Sequence, residues 1–120
     1  MINKDNFIKT KGGINRYNLR LRKGGCFLWN KSFCEKNGIT GMKSYDIYAS
    51  KHDSNVILFE LYKGSRGSYK INVTPAGVRR GTVRNFVKDN PSSLGCYNLK
   101  EKQEDGSSLF MLFERIKEDK

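Results

Sequence analysis

The stretch "TPAGVRRGTVRNFVKDNP", residues 74–91, places Arg79, Arg80, Arg84 and Lys88 ahead of its first acid. Guanidinium forks suit phosphate oxygens and guanine edges, so the chemistry on offer is recognition of a polyanion. Arg84 and Lys88 are four apart and share one face of a short helix, opposite the apolar stripe Val83, Phe86 and Val87. Gly81 and Thr82 would bring backbone N–H groups of that helix start near a phosphate, with Thr82 as the N-cap. A second cationic stretch, "RYNLRLRK", alternates Arg16, Asn18, Arg20 and Arg22 with Tyr17, Leu19 and Leu21, and Lys23 follows in the turn. That is the period of two of a half-buried strand, with one apolar and one cationic face. Arg66, inside "GSRGS", is placed to reach the same anion. The plainer alternative is that these cations are solvated and keep a basic protein soluble.

Other chemistries find little to work with. The sequence has no P-loop, no GxGxxG after a strand, no HExxH and no informative pair of carboxylates. Cys26, Cys34 and Cys96 are odd in number and lack CxxC spacing, which argues against a disulfide framework or a zinc site and reads as buried thiols. The single histidine, His52, falls in the polar turn "SKHDSN" as a solvated loop residue. Trp29, Phe27, Tyr48 and Tyr62 offer base-stacking surfaces as in single-strand binders, but aromatics in strands ordinarily pack into cores. No catalytic constellation, metal site or cofactor is expected.

The balance of charge carries the same message as the motifs. Twenty-three Lys and Arg against 12 Asp and Glu leave a net charge of +11, which implies attraction to polyanions. The windows Asn6–Cys34 and Leu61–Lys88 each hold seven cations and no acid, whereas the chain from Asp89 on is nearly balanced. No apolar run approaches the roughly 20 residues of a membrane span, and the start lacks the apolar core of a secretory signal, so a cytoplasmic protein without a membrane partner is expected.

The elements that must position these cations are legible as a repeat. Shifting the 120-residue chain by 52 positions aligns it with itself from Tyr17 to Tyr62: Tyr17, Leu19 and Leu21 fall on Tyr69, Ile71 and Val73, Gly25 on Gly77, and Ile57, Phe59 and Leu61 on Leu109, Met111 and Phe113. Each copy reads as ββαββ. In the first, "CFLW" follows the "KGG" turn, Asn30 or Ser32 caps a helix ended by Gly38, and "YDIYA" and "VILFELY" flank the turn "KHDSN". In the second, "YKINV" repeats the alternation, Pro91 stops the helix, and "CYNLK" and "SLFMLFERI" flank "QEDGSS". Asp53 and Asp105 form the two hairpin turns.

The expected fold is therefore mainly β with short helices (α+β), two ββαββ repeats forming one small barrel or sandwich. Residues 1–14 are a polar basic arm, 15–116 one domain built from 15–62 and 69–116 around a short Gly/Ser linker, and 117–120 a tail. The copies differ most where Phe27-Leu28-Trp29 of the first meets Arg79-Arg80-Gly81 of the second, which predicts that the second copy exposes this strand to solvent or to an anion.

"LRLRKGGCFLWNKSFCEKNGI" followed by "YDIYASKHDSNVILFEL" resembles the AbrB/SpoVT family of swapped-hairpin barrels, and the tandem arrangement looks MraZ-like. Where that family usually opens the helix with proline, this chain has Asn30-Lys31 and Thr82-Val83. The resemblance implies a DNA-binding transcription regulator with its arginines and lysines on one side of the barrel. Residues and resemblance together point to a non-enzymatic binder of nucleic acid, with double-stranded DNA the expected form, contacting it through Arg16, Arg20, Arg22, Lys23, Arg66, Arg79, Arg80, Arg84 and Lys88. A homodimer or higher oligomer is compatible with open strand edges. Two alternatives are a phage or virus structural or host-interaction protein docking an acidic protein through its basic face, and a metal-independent ribonuclease or toxin using His52.

Overall fold

The structure is a computed structural model that describes residues 3–6 and 17–116. The elements are β1 (Leu19–Leu21), β2 (Cys26–Trp29), α1 (Lys31–Asn37), β3 (Ser44–Ala49), β4 (Val56–Tyr62), β5 (Tyr69–Lys70), β6 (Asn72–Val73), β7 (Arg79–Thr82), α2 (Arg84–Asp89), β8 (Gly95–Asp105) and β9 (Ser108–Arg115). The fold is mainly β. A six-stranded antiparallel sheet in the order β1-β8-β9-β4-β3-β5 curls into a half-barrel, and a three-stranded antiparallel sheet, β2-β7-β6, accompanies it. The mainly β, barrel-like character expected from the sequence is present as a half-barrel with a small accompanying sheet.

Alternation decides which residues fill the space between. Along β2 burial alternates as Cys26 out, Phe27 in, Leu28 out, Trp29 in, and along β7 as Arg79 in, Arg80 out, Gly81 in, Thr82 out. Phe59 of β4, fully buried, is the hub of the aromatic core: its ring centroid lies 5.4 Å from Phe27, 5.3 Å from Trp29, 5.7 Å from Tyr45 and 5.5 Å from Phe113. Edge-to-face and tilted contacts of this kind add about 0.5–1.5 kcal/mol each beyond area burial. Trp29 and Phe27 are thus core residues and not stacking platforms.

Gly81 has a packing reason to be glycine. A Cβ there would collide with the Tyr45 hydroxyl and stand 2.9 Å from Cζ of Phe27. It faces the core, so it is not a phosphate cradle. Thr82 ends β7, and Val83 takes the N-cap position of α2 without a side-chain cap bond; the sequence-based choice of Thr82 as N-cap is corrected by one residue. At α1 the alternatives resolve to Asn30, whose side chain accepts from Phe33 N at 2.8 Å, while Gly38 ends the helix with φ 75°.

The segment "YKINV" is not one strand. Tyr69 and Lys70 pair with β3, Ile71 N donates to Lys43 O at 2.9 Å, and Asn72 and Val73 pair with β7. The chain passes from the large sheet to the small one at Ile71, so Val73 is 57% exposed where the alternation placed it inside. The edge strands β1 and β5 are three and two residues long. β8 runs past its partner β1, and its outer stretch from Lys100 to Asp105 is "KEKQED". Charge of that density is what blunts an open edge against pairing.

Candidate nucleic-acid interface

A tight turn packed against a helix start sets one end of the site. The β1–β2 turn closes with Gly25 N donating to Arg22 O at 2.8 Å, and Gly25, at φ 77°, lets the turn seat against α2. Val83 N donates to Gly25 O at 2.7 Å, and a Cβ on Gly25 would stand 2.6 Å from the backbone nitrogen of Arg84. The exposed residues Arg22 and Lys23 are thereby held beside the start of α2, where Arg84 and Lys88 are exposed opposite buried Phe86 and Val87.

Between β1 and the small sheet lies an open groove of about 740 Å³. Its floor is the outward face of β2 and β7, with Leu28, Arg80 and Thr82, and it reaches down to Phe27 and Gly81. Tyr17, Asn18, Arg20 and Arg22 form one wall; Asn30 and Phe33 at the start of α1 and Asn72 on β6 complete the lining. Pairing fixes the centre of the floor, because Arg80 stands opposite Leu28 on one side and opposite Asn72 on the other. Opposed residues of an antiparallel ladder hold their Cβ atoms about 4.5–5.5 Å apart on the same face. The row Asn72, Arg80, Leu28 therefore presents an amide, a guanidinium and an apolar side chain together.

Three of the expected cations, Arg20, Arg22 and Arg80, meet in this groove, and all are exposed. Among the described residues the ion pairs are Lys31–Glu35 and Lys100–Glu114, so no described acid sits within bridging distance of these arginines. Lys23, Arg84 and Lys88 lie outside the groove, at the turn and on α2. Arg16 lies outside the described residues.

Two of the expected residues are elsewhere. Arg79 points inward and is only 8% exposed; its guanidinium donates to Gly77 O at 2.7 Å and Thr40 O at 3.3 Å. The expected exposure of this strand thus holds for Arg80 and fails for Arg79, because strand parity sends the two to opposite faces. Arg66 lies 5.3 Å from the Tyr62 ring centroid, beside the Asp46 carboxylate that accepts from Tyr62 at 2.9 Å and from Ser68 N at 2.7 Å. It lines no part of the groove. Burial raises the Asp46 pKa, but hydrogen bonds from Ser68 and Tyr62 and the nearby Arg66 charge outweigh it and leave the carboxyl below its ordinary value.

The groove also contains residues that charge alone did not single out: Leu28, Asn72, Asn30, Thr82 and Cys26. Leu28 is 60% exposed, and a period of two along "CFLW" would have turned it away from Phe27 and Trp29. Cys26 is exposed with its Sγ 3.8 Å from Thr82 Oγ1, Cys34 is buried and Cys96 is intermediate. Burial pushes the Cys34 thiol up despite the neighbouring Arg79. Only Cys34 fits the expectation of buried thiols. His52 is exposed in the β3–β4 loop, and no group of three or more His, Cys, Asp or Glu is placed to hold a metal among the described residues. No helix among them is long and apolar enough to cross a membrane. Comparison with protein-family models, with curated proteins and with solved structures finds no match to this chain.

Proposed function

We propose that the protein is a non-enzymatic nucleic-acid-binding protein whose primary contact surface is the groove between β1 and the β2-β7-β6 sheet. The observation that carries this reading is the convergence of Arg20 and Arg22, on β1 and its turn, with Arg80 on β7, far away in sequence, on one groove that also holds hydrogen-bonding amides. Guanidinium groups bind phosphate oxygens in bidentate fashion, and asparagine amides suit base edges, so the groove offers both positioning and readout chemistry. Lys23, Arg84 and Lys88 extend the cationic surface beyond it.

The tandem architecture is part of the proposal. Leu28 pairs with Arg80 and Phe59 with Met111, and each residue is thus opposite its own counterpart at the 52-residue offset. Gly25 and Gly77, counterparts at φ 77° and 83°, each pack against the helix start of the other half, Gly25 on Arg84 and Gly77 on Lys31. Such pairings are what two interleaved copies would make, and they support the AbrB/SpoVT-like reading and, with it, a regulatory role on nucleic acid.

The test is fluorescence anisotropy with labelled single- and double-stranded oligonucleotides at two salt concentrations. Wild-type protein should bind at least one form with affinity that falls steeply as salt rises, and Arg20→Ala/Arg22→Ala/Arg80→Ala should bind with a salt slope smaller by about 2–3. Absence of binding to every form at low salt would assign the charge to another partner.

A further inference from the structure

We infer that the groove takes a single-stranded polynucleotide in preference to a duplex; this rests on the nucleic-acid reading above and narrows it. A two-stranded β-ribbon that reads the major groove of duplex DNA must protrude to enter it. Here the outward face of the β2–β7 ribbon is recessed: it is the floor of a groove walled by the β1 segment on one side and the start of α1 on another. A concave surface of this kind accommodates an extended strand with its bases turned in.

The floor chemistry agrees. Leu28, 60% exposed and next to Arg80 across the ladder, is an apolar platform on the groove floor, and Tyr17 and Phe33 add aromatic surface to the lining. A duplex backbone has no apolar group to set on it. A base has an apolar face, and stacking a base on an apolar or aromatic platform while cations follow the backbone is the general solution for single strands. Arg20 and Arg22 on the wall supply that track of charge, and Asn30, Asn72 and Thr82 supply hydrogen-bonding groups for base edges or sugar hydroxyls.

Competition anisotropy tests this, with a short mixed-sequence DNA single strand, its RNA counterpart and the matched duplexes, on wild type, Leu28→Ala and Arg80→Ala. At least one single strand should bind about tenfold or more tightly than its duplex, and Leu28→Ala should weaken that strand by about five- to tenfold with little effect on duplex binding. Arg80→Ala should weaken every form. DNA-over-RNA or RNA-over-DNA preference identifies the natural strand, and either supports the inference. Duplex binding as tight as single-strand binding, or a Leu28→Ala protein with unchanged single-strand affinity, would overturn it while leaving the nucleic-acid function standing. No binding to any form would overturn both. Leu28 and Arg80 are exposed, so neither variant disturbs the core.

Discussion

Leu28 and Arg80 face each other across the β2–β7 ladder, both turned to solvent, while their neighbours Trp29 and Arg79 form the adjacent pair turned inward. One residue step along the strand thus separates an arginine that can meet a ligand from one that belongs to the interior.

The two arginines should behave differently on mutation. Arg79→Ala removes buried side-chain volume and the donors to Gly77 O and Thr40 O, at a cost of about 2–3 kcal/mol in stability. Arg79→Met keeps most of the volume and should cost less. Neither should change the salt slope of nucleic-acid binding by the folded protein, whereas Arg80→Ala should reduce it by about one with little loss of stability. Urea denaturation beside salt-dependent anisotropy separates the two roles; an unchanged slope in Arg80→Ala would remove that residue from the interface.

Gly81→Ala should be destabilising although the position needs no special backbone angle. The added methyl meets the Tyr45 ring and Phe27, and overpacking of a filled core costs about 1–3 kcal/mol. The same substitution at Gly24, where nothing lies within 4 Å of the added Cβ, should leave the thermal midpoint within a degree or two, about the shift of a neutral surface change.

Alkaline pH should unfold the protein earlier than its charge alone suggests. Burial raises the Tyr45 hydroxyl, reinforced by neighbouring Tyr69, and burial likewise raises Tyr97 against the opposing charge of Arg115. The folded state holds these protons more tightly than the unfolded chain. Their contribution is therefore fully present below the ordinary tyrosine value of about 10 and is lost as pH rises past it. Tyr45→Phe should flatten the fall in urea midpoint above about pH 10; an unchanged fall would mean that other groups drive it.

At the acid end the sign reverses. Because the Asp46 carboxyl is held below its ordinary value, its contribution is present above about pH 4 and disappears as pH falls through the lower folded value. Asp46→Asn should lose stability at neutral pH and show a shallower decline on acidification, measured by urea midpoints across the acidic range.

Cys26 offers a footprint of the groove. Thiol titration should show one fast-reacting cysteine, lost in Cys26→Ser, since Cys34 is buried and Cys96 is only partly exposed. A saturating single strand should slow the fast phase. An oligonucleotide that binds without protecting Cys26 would place the contact surface away from the groove.

Much of this protein was legible in the chain itself. The alternation in "NLRLR", the strand segments "CFLW" and "VILFELY", the glycines Gly25 and Gly38, and the turns at Asp53 and Asp105 are local signals, and they became β1, β2, β4 and the turns at the ends of β1, α1, β3 and β8. The excess of Lys and Arg, gathered into two acid-free windows, was likewise plain. Side-chain period and backbone permissiveness depend on neighbours in sequence, so they survive without knowledge of the fold.

Only tertiary structure decided which cations act together. Arg79 went inside because the β2–β7 register set Gly81 against Phe27 and left the adjacent inward position, opposite Trp29, to an arginine with carbonyl partners from Gly77 and Thr40. Arg66 was drawn to Tyr62 and Asp46. Leu28 became part of the groove floor because Phe27 and Trp29, at the alternate positions of β2, fill the core and leave the opposite face of the strand to the groove. A strand's two faces are set by its sequence, but which face is buried depends on volume and partners supplied from more than fifty residues away.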